Sequence, residues 1–75
     1  MSSSSETPAV EIRINGEPHF VNAGLPLPEL IAALGLPPKG VLVEHNGRAL
    51  LRDEWENTRL AGGDRLEILR VVAGG

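Results

Sequence analysis

From Val10 the chain alternates apolar and charged positions, Val-Glu-Ile-Arg-Ile, the period of two that buries one face of a β-strand. Asn15-Gly16 follows at once. Both residues tolerate positive φ, so the pair is a strong signal for a two-residue hairpin turn, and Glu17 to Val21 returns as the partner strand. Pro18 has no N–H to give a ladder, so that side of its backbone should face away from the neighbouring strand. The period then lengthens. Leu27, Leu30, Ile31 and Leu34 recur at helical spacing and predict a short helix with one apolar stripe. Pro28 suits its first helical position, Gly35 suits a left-handed stop with Leu36 folding back, and Pro37-Pro38 forbid continuation.

Val41 to His45 is a second alternating run, closed by a second hairpin signal at Asn46-Gly47 and a short return through Arg48 to Leu51. Mixed polarity around Trp55 predicts one helical turn over 52–58. The run from Leu60 to Asp64 reads as a turn, with Gly62 and Gly63 free to take positive φ and Asp64 able to bond nearby backbone. Arg65 to Val72 is the final strand. The order is β-β-α-β-β-β, so a single helix must cover one face of the sheet and hide Val10, Ile12, Ile14, Phe20, Val41, Val43, Leu66 and Ile68. The expected class is α+β: a small mixed sheet of four to five strands packed on one main helix. This is the β-grasp arrangement, in which, by fold analogy, the first and last strands lie side by side and parallel. Residues 9–72 form this domain. A Ser-rich disordered segment over 1–8 precedes it, and a flexible Ala-Gly-Gly tail over 73–75 follows.

Composition removes several function classes. Seventy-five residues make one small domain, and with no cysteine there is no disulfide framework, thiolate metal site or cysteine nucleophile. The formal charge is -3, with acids and arginines interspersed and Phe20 and Trp55 the only aromatics. That is not a nucleic-acid surface, which would cluster basic residues beside stacking aromatics. No apolar run approaches the ~20 residues of a membrane span, and the start lacks signal-peptide features, so a cytoplasmic protein is expected. His19 and His45 have no partners at metal-ligand spacing and are read as surface strand residues. No Ser or Thr sits in a nucleophile motif, so the chain is not expected to be an enzyme or to bind a cofactor itself.

The second half, with "NG" at 46–47, Arg52 and Trp55 in "RDEW", Thr58 and Leu60 in "TRL", "GDRLEI" over 63–68 and the closing Gly74-Gly75, resembles the ThiS-type, ubiquitin-like sulfur carrier family of thiamine biosynthesis. "INGE" over 14–17 matches the family's first hairpin, so the likeness covers about residues 10–75. One departure is visible, Leu51 standing where the pattern has Pro before the Arg. The resemblance implies that Gly75 is adenylated and then converted to a thiocarboxylate, whose sulfur goes to thiazole formation. It implies three partners: a ThiF-type adenylating enzyme that uses ATP and Mg, a sulfur-donating cysteine desulfurase system, and thiazole synthase. The nearest rival is the small subunit of molybdopterin synthase, which shares fold, tail and activation and usually carries a longer helical insert. A ubiquitin-like protein modifier or pure binding module is the third reading, although Lys39 is the only lysine and polymers of the chain on itself are excluded in practice.

The tail is where the residues and the resemblance meet. Gly is about 7% of average composition, so a Gly-Gly end arises by chance in about 0.5% of chains. Without Cβ atoms, Gly74 and Gly75 can thread a narrow channel and take whatever φ a partner imposes, with Ala73 and Val72 leading into it. Nothing should follow Gly75 if its carboxylate is the reacting group. With Leu66 and Ile68 inward, Glu67, Leu69 and Val71 point outward, and Leu42 between inward Val41 and Val43 shares their face. Leu69, Val71 and Leu42 are therefore the expected partner-docking patch beside the tail.

Overall fold

The computed structural model describes residues 7–71. Residues 1–6 of the expected lead-in over 1–8 and the tail residues Val72, Ala73, Gly74 and Gly75 lie outside them. Strands β1 (Ala9–Ile14) and β2 (Glu17–Asn22) form the first hairpin, followed by helix α1 (Leu27–Ala33) and a 3-10 turn, Pro38–Gly40. Strands β3 (Val41–His45) and β4 (Arg48–Leu50), the short helix α2 (Arg52–Trp55) and β5 (Arg65–Arg70) complete the chain. The five strands form one mixed sheet in the order β2-β1-β5-β3-β4. β5 is central, parallel to β1 and antiparallel to β3, so the first and last strands are neighbours as expected.

Both Asn-Gly pairs make the predicted turns. Asn15 and Gly16 have φ of 52 and 87°, Asn46 and Gly47 of 52 and 86°. The two asparagines do more than tolerate that conformation. β1 meets β5 only at Arg13–Arg65 and Ile14–Leu66. Past that point the Asn15 side chain carries the ladder on, its Oδ1 accepting from Ile68 N at 2.8 Å and its Nδ2 donating to Ile68 O at 3.1 Å. On the other flank Asn46 Oδ1 accepts from Arg65 N at 2.8 Å, while Asn46 N donates to Arg65 O at 2.7 Å. A side-chain amide offers a donor and an acceptor in one plane and so substitutes for a peptide group.

Every N–H of the first turn of α1 is accounted for. Leu27 N donates to Thr58 O at 3.0 Å, Pro28 has none, and Glu29 and Leu30 donate back to Pro26 O. The helix ends in a Schellman motif, with Gly35 at φ 75°, Gly35 N on Ala32 O and Leu36 N on Ile31 O. The core lies between α1 and one sheet face: Ile12, Ile14, Leu27, Leu30, Ile31, Val41, Val43, Leu50, Leu66 and Ile68, closed at its end by Trp55 and Leu60. Leu60 is fully buried because the 58–60 segment runs against residues 24–27, with Leu60 N on Leu25 O and Gly24 N on Leu60 O.

The side chains depart from expectation at several positions. Phe20 is 72% exposed rather than core. The two-residue turn pairs it with Glu11, on the open face, and Val21 opposite Val10 packs against the core instead. Leu34 caps the helix and is exposed, because the stripe has turned past the sheet by the last residue. Gly63 takes positive φ (87°) but Gly62 does not; a Cβ on Gly62 would lie 3.4 Å from Val10 Cβ, ordinary contact distance. β5 ends at Arg70, short of the expected Val72. At Leu51 the N–H donates to Glu54 Oε1 at 2.9 Å, a bond that Pro would remove.

Candidate functional site

Alternation puts Leu42 and Leu69 on the face of the sheet that α1 does not cover. They are direct cross-strand partners and stay about 60% exposed (60 and 62%). With Ala49, the partner of Glu44 on β4, they floor a shallow depression of about 190 Å³ whose other wall is Glu44 and Glu67. Ala49 and the carboxylate pair are the part of this site that alternation alone does not reveal, since it needs the β3–β4 and β3–β5 registers.

Val71 stands where the chain leaves the sheet. It is exposed, and its N–H donates to Gly40 O at 2.7 Å, so the 3-10 turn Pro38–Gly40 holds the strand one residue beyond its last ladder position. A Cβ on Gly40 would come within 3.2 Å of Pro37 Cγ, which favours glycine at this anchor. Of the expected docking residues, Leu42 and Leu69 lie on the open face near the C-terminal end of β5, and Val71 is exposed just past that strand. Gly75, Gly74, Ala73 and Val72 continue from there, outside the described residues.

The other singled-out residues do not join this site. Trp55 is buried in the core, with the Arg52 guanidinium 5.0 Å from its ring centroid and Arg52 Nη1 donating to Pro38 O at 3.1 Å. His19 is half-buried on the edge strand opposite Ile12. His45 is not a free surface residue: its Nε2 donates to Asp64 Oδ2 at 3.0 Å. Asp64 also accepts from Ala61 N at 2.9 Å and Asn46 Nδ2 at 3.2 Å, which pins the 61–64 turn to the second hairpin. Partial burial pushes the Asp64 carboxyl up, but the hydrogen bonds from His45, Ala61 and Asn46 outweigh it and hold the group below its ordinary value. Among the described residues no three metal-ligating side chains converge, and no helix is long and apolar enough to cross a membrane.

The sequence model of the ThiS family matches residues 9–75. The fold superposes on the crystal structure of the thiamine biosynthesis protein ThiS from Geobacter metallireducens with a TM-score of 0.76 and 33% identity, covering 88% of this chain and 100% of that one. On the solution NMR structure of a thiamine biosynthesis protein from the same organism the TM-score is 0.72, again with 33% identity, over 88% of each chain. Among curated proteins the chain is 35% identical over 66 residues to a thiazole synthase of Magnetococcus marinus. That alignment covers 88% of this chain and 20% of the relative, so the chain spans about one fifth of that protein's length.

Proposed function

The chain belongs to the ThiS family, and from that premise we propose that it is a sulfur carrier of thiamine biosynthesis whose reacting group is the carboxylate of Gly75. A carboxylate is a poor acyl donor because its leaving group would be oxide. Attack of the Gly75 carboxylate on the α-phosphorus of ATP expels pyrophosphate and gives an acyl-adenylate. Hydrosulfide attacking the acyl carbon expels AMP and leaves a thiocarboxylate; an enzyme-bound persulfide instead gives an acyl disulfide, from which a second thiol releases the thiocarboxylate and forms a disulfide with the enzyme. The chain supplies the acyl end, and a ThiF-type enzyme with ATP and Mg supplies the catalysis. A cysteine desulfurase system is the source of sulfur and thiazole synthase its acceptor. The match to one fifth of a protein named thiazole synthase supports that acceptor.

The observation that carries this reading is the family match running through to Gly75. Leu42, Leu69 and Val71 offer the partner an apolar foothold beside the exit of the chain. Because Val71 is tied to Gly40, the reach begins at Val72: four residues extend at most about 14 Å. The partner's nucleotide pocket must therefore open within that distance of the docked face. Gly74 and Gly75 give the last part of the reach no side-chain cross-section to accommodate.

Intact-mass measurement tests the proposal. After incubation with the cognate adenylating enzyme, Mg-ATP and a sulfide donor, the chain should gain the mass of one oxygen-to-sulfur exchange. Deletion of Gly75 should remove that gain and leave the unfolding curve unchanged. A wild-type chain that gains nothing would overturn the reading.

A further inference from the structure

Glu44 and Glu67 are direct Cα partners across β3 and β5, and both point to the open face. Like charges directly opposite in an antiparallel pair oppose folding; Arg13 and Arg65 line a depression together with the two acids, yet neither forms an ion pair with them. Among the described residues the ion pairs are His45–Asp64 and Arg48–Glu54, and neither Glu44 nor Glu67 takes part in one. Arg65, two residues before Glu67 on the same face, makes no ion pair with it; it stands instead beside Arg13, its partner on β1. On the other flank Glu44 faces Ala49. The two carboxylates therefore lie together between the depression floored by Leu42, Ala49 and Leu69 and the one they share with Arg13 and Arg65.

We infer that Glu44 and Glu67 form a receptor for one arginine side chain of the adenylating enzyme, its aliphatic stem lying over Leu42, Ala49 and Leu69 and its guanidinium bridging the two carboxylates. Directly opposed residues have Cα atoms about 4.5–5.5 Å apart, so one planar guanidinium with five donors can engage both acids at once. Lysine presents a single point charge and lacks that fork. The depression combines the two surfaces that a long cationic side chain needs, an apolar trough for its stem and an anionic rim for its head. Its place beside Val71 puts the contact where the chain heads for the partner's active site. The Arg13–Arg65 pair beyond the acids makes the face run from apolar to acidic to basic, and so gives docking one direction.

This inference rests on the proposed activation reaction and is separable from it. The affinity of the wild-type chain and of the E44Q/E67Q variant for the cognate adenylating enzyme is measured by titration calorimetry at low and high salt, with thermal unfolding of both chains alongside. The expected result is a Kd about tenfold higher for the variant at low salt and a flatter salt dependence. Its Tm should be equal to or above that of wild type, because the opposed charges are gone. Equal affinity of the two chains overturns the receptor while leaving adenylation of the wild type untouched. A lowered Tm overturns it as well, since the acids would then be structural. A wild-type chain that neither binds the enzyme nor is adenylated overturns both readings.

Discussion

The two faces of β5 share a backbone and differ in everything else. Leu66 and Ile68 are 1 and 7% exposed beneath α1, whereas Leu69 is 62% exposed on the other side. On the covered face each side chain is fixed by close packing, so size and shape matter at every position. On the open face Leu42 and Leu69 are exposed, and the opposed Glu44 and Glu67 form no ion pair among the described residues. The contrast separates what folds the protein from the surface that we propose it shows to a partner. Substitutions on the first face should act on stability, those on the second on recognition.

The largest effect is expected at the covered face. Leu66→Ala leaves a cavity in the core beside Ile14, its partner on β1, and should lower stability by about 2–5 kcal/mol in urea unfolding, a large fraction of what a domain this small possesses. Next comes the seam that holds β5 between its neighbours. Asn15→Ala strands both polar groups of Ile68 and should cost about 1–3 kcal/mol, with no change in the open face. Asp64→Ala should cost about 1–2 kcal/mol at neutral pH through loss of its bonds to His45, Asn46 and Ala61 N. That contribution depends on pH. The folded carboxyl titrates below its ordinary value of 3.8, so the stabilisation is complete above the unfolded pKa and is lost as pH falls through the folded one. Stability curves of wild type and variant should therefore converge in acid below about pH 4.

The smallest stability effect is expected on the open face. Leu69→Asp should shift unfolding by no more than about 0.5 kcal/mol yet weaken activation by the adenylating enzyme. A cooperative loss of structure in that variant would erase the contrast between the faces.

The alternating runs and the two Asn-Gly turns made the succession of elements along the chain readable, because a period of two and a requirement for positive φ are local properties. Closure of the sheet by its first and last strands came from analogy, and pairs Arg13 with Arg65 as that analogy requires. Phe20 shows where apolar character misleads. Counting back from the two-residue turn pairs it with Glu11, so the register was legible, but its hydrophobicity suggested the core. The positive φ at Asn15 and Asn46 was legible too. That their side chains would pair with Ile68 and Arg65 was not, since those contacts span 53 and 19 residues and exist only once β5 is inserted. The same holds for His45 and Asp64, 19 residues apart. At the candidate site Leu42 and Leu69 could be placed outward from alternation alone. The opposition of Glu44 and Glu67 needed the register between β3 and β5.

The amide that Asn15 lends to Ile68 makes the middle of the sheet sensitive to a change of one atom. Hydrolysis of that amide to a carboxylate would exchange the Nδ2 donor for a second acceptor facing the Ile68 carbonyl, turning attraction into repulsion. Deamidation during storage would then begin its damage at the central strand rather than at the rim, and chemical ageing would register as lost cooperativity before any change in the exposed leucines of the open face.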